Sequence, residues 1–192
     1  MGRNNFIGPN GAIPVFNGGY DFTNLTTSEN AQIKTGYGVF AGIGVNTVGT
    51  TSTLAAYDGQ SAPVTITIAA PGVITWPNHG LVAGDAIKLT TTGALPTGLT
   101  SNTTVYVAAD ANLTANTFDV SDTQAHAIAG SNQITTSGSQ SGVQTAWNVS
   151  NPIGTYTTVA QGPIPLPGAA LALGLIVITA GGSPANLTIF YA

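Results

Sequence analysis

The chain has 192 residues, enough to bury a substantial core in one large domain or two small ones. Charged residues make up only 5% of it, against roughly a quarter in an ordinary globular domain, and the net charge is -4. With Lys+Arg at 3, a nucleic-acid partner lacks its electrostatic footing, and with Cys at 0 neither disulfides nor thiolate metal sites exist.

Disorder is a poor reading of this composition, because 43% of the residues are hydrophobic. Short Thr/Val/Ile runs separated by Gly, Asn and Pro predict an all-β protein. A surface of Thr, Ser, Asn and Ala costs little to desolvate. It suits a chain packed against copies of itself or against a larger lattice, and a free secreted β-domain is the alternative.

Residues 1–25 are broken every few positions by Gly, Pro and Asn, so no long regular element fits there. Yet Phe6, Ile7, Ile13, Val15 and Phe16 give the segment apolar content that a floppy tail does not need. It reads as an extended arm lying on its own domain or on a neighbouring subunit. Arg3 is expected to make a surface contact. The N-terminus lacks the charged-then-apolar pattern of a signal peptide.

From Val39 to Val45 the chain alternates, with Val39, Ala41, Ile43 and Val45 on one face and Phe40, Gly42 and Gly44 on the other. Turn chemistry follows, and then a strand from Thr53 to Tyr57, which predicts a hairpin. Its expected sheet partners are far away, at Leu175–Thr179 and Leu187–Tyr191. A short strand around Gln32–Lys34 precedes it.

After the Tyr57-Asp58-Gly59-Gln60 turn the texture changes. Short strands are expected at 63–69, 73–76, 85–89, 104–108 and 117–120, with 133–135 closing a small barrel or sandwich. A polar link, 137–142, leads to strand candidates at 144–149 and 154–159 that return to the first domain. The run Gln161–Gly168 cannot be a central strand, because its prolines lack the ladder donor. The last two strands, 175–179 and 187–191, read as a final hairpin. The apolar stretch 169–180 is too short for a membrane span of about 20 residues, and a buried strand explains it better. The expected fold is thus a β-sandwich host (26–60 and 138–192) carrying an inserted small β-barrel or sandwich module (61–137) and an extended N-terminal arm (1–25).

No residue pattern carries chemistry, so no catalytic, cofactor or metal site is expected. His79 sits in a Pro-Asn-His-Gly turn and is expected to close it. His126, in QAHAI, has no evident acidic partner. Asp110, Asp119 and Asp122 could converge on calcium, but their spacing is not that of an EF-hand, and loop aspartates commonly cap turns. Trp76, Tyr106 and Trp147 could stack on sugar rings, with core packing the better expectation. No nucleophile elbow, P-loop or dinucleotide fingerprint appears.

Two parts of the chain look familiar. The run from Ile74 to Asp122, with His79-Gly80-Leu81, Gly84-Asp85, Leu89–Leu99 (LTTTGALPTGL) and Asn116–Ser121 (NTFDVS), resembles a small β-module found in tailed-bacteriophage virion proteins, including tail fibres and head proteins. The host strands, with QIKTGYGVFAGIGVNT, a strand ending in YDG and LIVITAGGSPANLTIFY, resemble small phage structural sandwiches. The resemblance implies a structural, non-enzymatic virion protein. The low charge and apolar arm tip the expectation toward a capsid decoration or cementing subunit on the head surface, assembled in the host cytoplasm. Its expected partners are the major capsid protein and two further copies in a homotrimer, with no cofactor, nucleic acid or membrane. A tail or fibre component and a glycan-binding domain on the virion surface are the alternatives.

Overall fold

A computed structural model of the chain describes residues 21–27, 30–49, 53–157, 161–180 and 185–192. In chain order the elements are β1 (Asp21–Leu25), β2 (Asn30–Thr35), β3 (Gly38–Thr47), β4 (Thr53–Asp58), β5 (Ser61–Ile66), β6 (Ile74–Thr75), β7 (Ala86–Thr91), β8 (Thr104–Val107), β9 (Thr117–Phe118), β10 (Val120–Ser121), α1 (Gln124–Ile128), β11 (Gln144–Asn148), β12 (Pro152–Thr157), β13 (Gly162–Leu171), β14 (Gly174–Ala180) and β15 (Asn186–Tyr191). The fold is all-β. The chain forms two compact units, one from residues up to Ala56 and from Gly154 on, the other from Tyr57–Ile153.

The first unit is a β-sandwich. One sheet has the order β1-β15-β3-β13 and the other β12-β4-β14-β2. The strand at 39–45 therefore pairs with 187–191, and the strand at 53–57 neighbours 175–179, as the distant-partner reading expects. The two hairpins do not form. β3 and β4 lie in opposite sheets, and so do β14 and β15. The expected arm ends sooner than residue 25, because Asp21–Leu25 pairs with β15 and buries Leu25.

Strict alternation fails within β3, for a local reason. Phe40 is opposite Tyr191 and Gly42 is opposite Phe190, so Ala41 is an extra residue on β3. A bulge of this kind changes which face the following residues present. Hence Phe40 before it and Ile43 and Val45 after it are all buried in the core. The proline-bearing β13 shifts register at the same place, between Pro165 and Ala169. It sits at the end of its sheet, where missing donors do least harm. Gly174 to Ile178 of β14 are buried without interruption, so both faces of that strand are covered. Among the described residues no helix is long and apolar enough to cross a membrane.

The second unit is a nearly closed barrel with the strand order β10-β8-β7-β11-β5-β6-β9. Its first and last strands are parts of one segment. Thr117–Phe118 pairs with β6, Val120–Ser121 pairs with β8, and Asp119 lies between them. Residues 117–121 thus join the two ends of the sheet. The expected closing run, 133–135, lies alongside through Ile134 N–H donating to Val120 O (2.7 Å).

The strand at 144–149, expected in the host, is a central barrel strand, with Ala146 opposite Ala62 on β5 and Leu89 on β7. The link 137–142 folds back as well, through bridges Thr97–Ser137 and Ala94–Ser141. Polar residues masked this pairing, because both partners are loop-like in composition. The barrel core gathers Ile74, Ile87, Leu89, Val107, Phe118 and Ala146, with Trp76 beside them.

Candidate functional site

Asp119 has no exposed surface. The strand period buries Phe118 and Val120 too, and the seam position leaves Asp119 facing the loop after β8. There Asp110 caps a turn, its Oδ1 accepting from Asn112 N–H at 2.8 Å. The Asn112 side-chain amide then spans two carboxyls, 3.4 Å from Asp110 Oδ2 and 3.2 Å from Asp119 Oδ2. Asp119 Oδ1 has no hydrogen-bond donor. Burial, and then the neighbouring Asp110 carboxyl, push the Asp119 carboxyl up to about 6.

Asp122 does not join this pair. The three aspartates weighed as a calcium set therefore do not converge, and among the described residues no group of three His, Cys, Asp or Glu is placed to hold a metal ion. Asp122 instead pairs with His126, Oδ1 to Nδ1 at 2.6 Å, at the surface. Sequence reading left His126 without an acid. The Thr123 side chain caps α1 by accepting from His126 N–H, which turns Asp122 over the first helical turn. The bond to His126 holds the Asp122 carboxyl below its usual range.

His79 is buried, and its Nδ1 accepts from Leu81 N–H at 2.9 Å. Its backbone carbonyl accepts from the Gln60 amide at 2.7 Å. Nδ1 therefore carries no proton, and Nε2 bears it. The ring meets Phe118 edge-on with centroids 5.0 Å apart. The residue closes its turn and packs the barrel. Trp76 and Trp147 are buried, and Trp147 Nε1–H donates to Thr90 Oγ1 at 2.8 Å. Neither indole is free to stack on a sugar.

The arm residues Phe6, Ile7, Ile13, Val15 and Phe16, and Arg3, lie outside the described residues. What the sandwich does display is the outer face of the β1-β15-β3 sheet. Leu25, Leu187, Ile189, Ile43 and Val45 point inward. The two-residue period then sends Phe22, Asn24, Thr188 and Asn46 outward. Asn46 Nδ2 donates to Asn186 Oδ1 (3.0 Å) and to Thr188 Oγ1 (2.9 Å). Thr188 Oγ1 in turn donates to Asn24 Oδ1 (2.7 Å). The result is a neutral polar ladder across three strands. Phe22, one register step away, is 59% exposed. Asp21 is the one charged residue on the four strands of this sheet. Sequence reading counted Phe22 as part of the arm and missed the amides, although their place in alternating strands would have shown them on one face.

No family model matches the chain, and neither the curated proteins nor the solved structures hold a match to it.

Proposed function

We propose that this chain is a structural protein of a tailed-phage virion, a decoration or cementing subunit on the head surface that works without catalysis. The observation that carries the reading is the outer face of the β1-β15-β3 sheet, with its self-bonded amide and hydroxyl ladder and exposed Phe22, while the one charge on these strands, Asp21, falls in step with inward-facing Leu25. Covering such a face strands no ion, and the ladder already pairs the Asn46 amide and the Thr188 hydroxyl, so broad contact costs little desolvation. The motif resemblance of the inserted segment supports the phage assignment. In this reading the partners are the major capsid protein and two further copies in a homotrimer. The arm residues Phe6, Ile7, Ile13, Val15 and Phe16 extend the contact. Assembly takes place in the host cytoplasm.

The test is the copy number on purified particles. Hundreds of copies per virion fit a head protein. A small number set by threefold, sixfold or twelvefold tail symmetry moves the protein to the tail or fibre. Deleting 1–16 is expected to lower particle occupancy while the sandwich stays folded, and unchanged occupancy rejects the arm's role. A second reading, glycan binding on the virion surface, draws on the same face, because an exposed aromatic beside amides is the chemistry of a sugar platform. A glycan array with no binding above background removes it.

A further inference from the structure

The Asp119–Asp110 pair is unused by the proposed contact role, and it occupies the one point where the barrel sheet meets itself. The geometry calls for something to neutralise it. Asp119 is wholly buried, and its Oδ1 faces no donor. Its Oδ2 shares a single amide hydrogen source with Asp110 Oδ2. Asp119 is cut off from water while Asp110 beside it is only half-buried, so a charge on Asp119 is poorly solvated and faces a neighbouring carboxylate.

A cation is the poorer candidate. No third acidic or histidine ligand is placed to complete a metal set among the described residues, and Asn112 presents its nitrogen to the pair. A proton needs no extra space and removes the charge that burial penalises. We propose that Asp119 holds a proton, and that this buried neutral carboxyl is a pH-sensitive latch on the barrel seam, closed while the proton is held and weakened when Asp119 ionises.

The surrounding elements carry other titratable groups. Tyr106 on β8 is opposite Ser121 in register. Lys88 and Asp85 belong to β7 and its approach, and Asp85 Oδ2 accepts from Val82 N–H. His126 on α1 is bonded to Asp122. His79 stacks on Phe118. Asp110 is the titratable neighbour that acts on the Asp119 carboxyl.

The sign follows from linkage. The folded-state value, about 6, lies above the ordinary value near 3.8. The stabilisation is then fully present below about pH 4 and lost as pH rises through about 6. Position makes the loss consequential. The Asp119 carbonyl accepts from Ala108 N–H at 3.0 Å, within the segment that pairs β6 on one side and β8 on the other.

The test uses the full chain. Both tryptophans, Trp76 and Trp147, belong to the barrel, so tryptophan fluorescence follows its unfolding alone. Carboxyl-carbon NMR is expected to show Asp119 titrating near pH 6. Asp119→Asn keeps the size of the side chain and removes the ionisation. Its barrel is expected to match the wild type near pH 4 and to melt about 5 °C or more above it at pH 7.5. Asp110→Asn is expected to move the Asp119 midpoint down toward the ordinary value, and it supplies the test if Asp119→Asn fails to fold. Asp119 titrating near pH 4 in the wild type, or Asp119→Asn tracking the wild type at both pH values, overturns the proposal. Millimolar calcium that raises the wild-type melting point at pH 7.5 but not that of Asp119→Asn overturns it too, since a cation would then do the neutralising.

Discussion

The sandwich and the barrel solve the same problem with different materials. In the sandwich the buried side chains are apolar, with Phe40, Leu54, Leu175, Ile176, Leu187 and Ile189 essentially inaccessible. The polar side chains buried among the described residues, His79, Asp119, Ser121, Thr136, Gln144 and Asn148, all fall in the barrel. Most of them clip loops. Thr136 Oγ1 donates to Thr67 O (2.6 Å), Gln144 Nε2 to Ser141 O (2.9 Å) and Ser121 Oγ to Ser131 O (2.8 Å). The barrel has short strands and long connections, so its backbone groups find fewer ladder partners, and side chains take up the difference. The sandwich has longer ladders, and among its described residues the side chains that bond backbone, such as Gln161 to Asn46 O (2.8 Å) and Gln32 to Leu175 O (3.3 Å), are not fully buried. Sensitivity to pH should therefore belong to the barrel and insensitivity to the sandwich.

The largest way to break this comparison is to remove one member of it. Asp58 N–H donates to Asn151 O at 2.9 Å, so the chain enters and leaves the barrel at adjacent points. Replacing 59–150 by a short glycine linker is expected to leave a folded sandwich with its strand content intact by circular dichroism. Excising 61–137, the span that composition suggests, is expected to fail. It leaves β11 behind, with Ala146 and Trp147 stripped of β5 and β7 and their apolar faces open to aggregation. A soluble, folded product from the second excision would show that β11 does not depend on the barrel.

Next come single truncations in the two cores. Phe118 and Phe40 are both fully buried. Alanine at either is expected to cost about 3–5 kcal/mol. Phe118→Ala should lower the unfolding transition seen by tryptophan fluorescence, because it also removes the ring against which His79 packs. Phe40→Ala should lower a transition seen by circular dichroism and leave the fluorescence transition nearly unchanged. Equal shifts in both signals from either variant would show that the units unfold as one.

The sequence shows its strands better than their partners, and the reasons are local. Periodicity places β3, β4, β14 and β15 within a residue or two, because each carries a buried apolar face. It cannot tell a hairpin from an arch, since the same turn residues serve both. The bulge at Ala41 is invisible for a related reason, as one small residue among glycines carries no signal of its own. By sequence β11 reads as a host strand because the polar run before it looks like a linker, whereas Ser137 and Ser141 are paired back onto Thr97 and Ala94. The acid pair was half legible. Asp110 and Asp119 stand out in a chain with so few charges, but that Asp122 turns away depends on the Thr123 cap. The neutral face was readable only once β1, β15 and β3 were known to be neighbours.

A smaller effect tests the loop that holds the barrel's polar link. Gly98 has φ of 104°, and a Cβ there would lie 2.2 Å from the Thr135 carbonyl oxygen. Both the backbone conformation and the space demand glycine. Gly98→Ala is expected to cost the barrel about 1–3 kcal/mol by fluorescence-detected unfolding, with the sandwich unaffected. A neutral result would mean that the backbone at Ile134 and Thr135 can move away from Gly98 without loss.

The smallest expected effect on stability is the one that separates holding the fold from holding a partner. Asn46 is exposed and donates to both Asn186 and Thr188. Exposed side-chain bonds exchange readily with water, so Asn46→Ala should change unfolding free energy by no more than about 0.5 kcal/mol. It should nevertheless disturb the outer face, since the Thr188 hydroxyl loses the donor that orients it toward Asn24. Under a contact role, occupancy on particles should fall for Asn46→Ala and further for Asn46→Ala with Phe22→Ser, while both variants melt with the wild type. Wild-type occupancy in the double variant would mean that the ladder only tidies the surface of its own sheet. The contact would then have to be sought on a different face, and Lys34 and Asp58 make the β2 and β4 side the more charged and more costly one to cover.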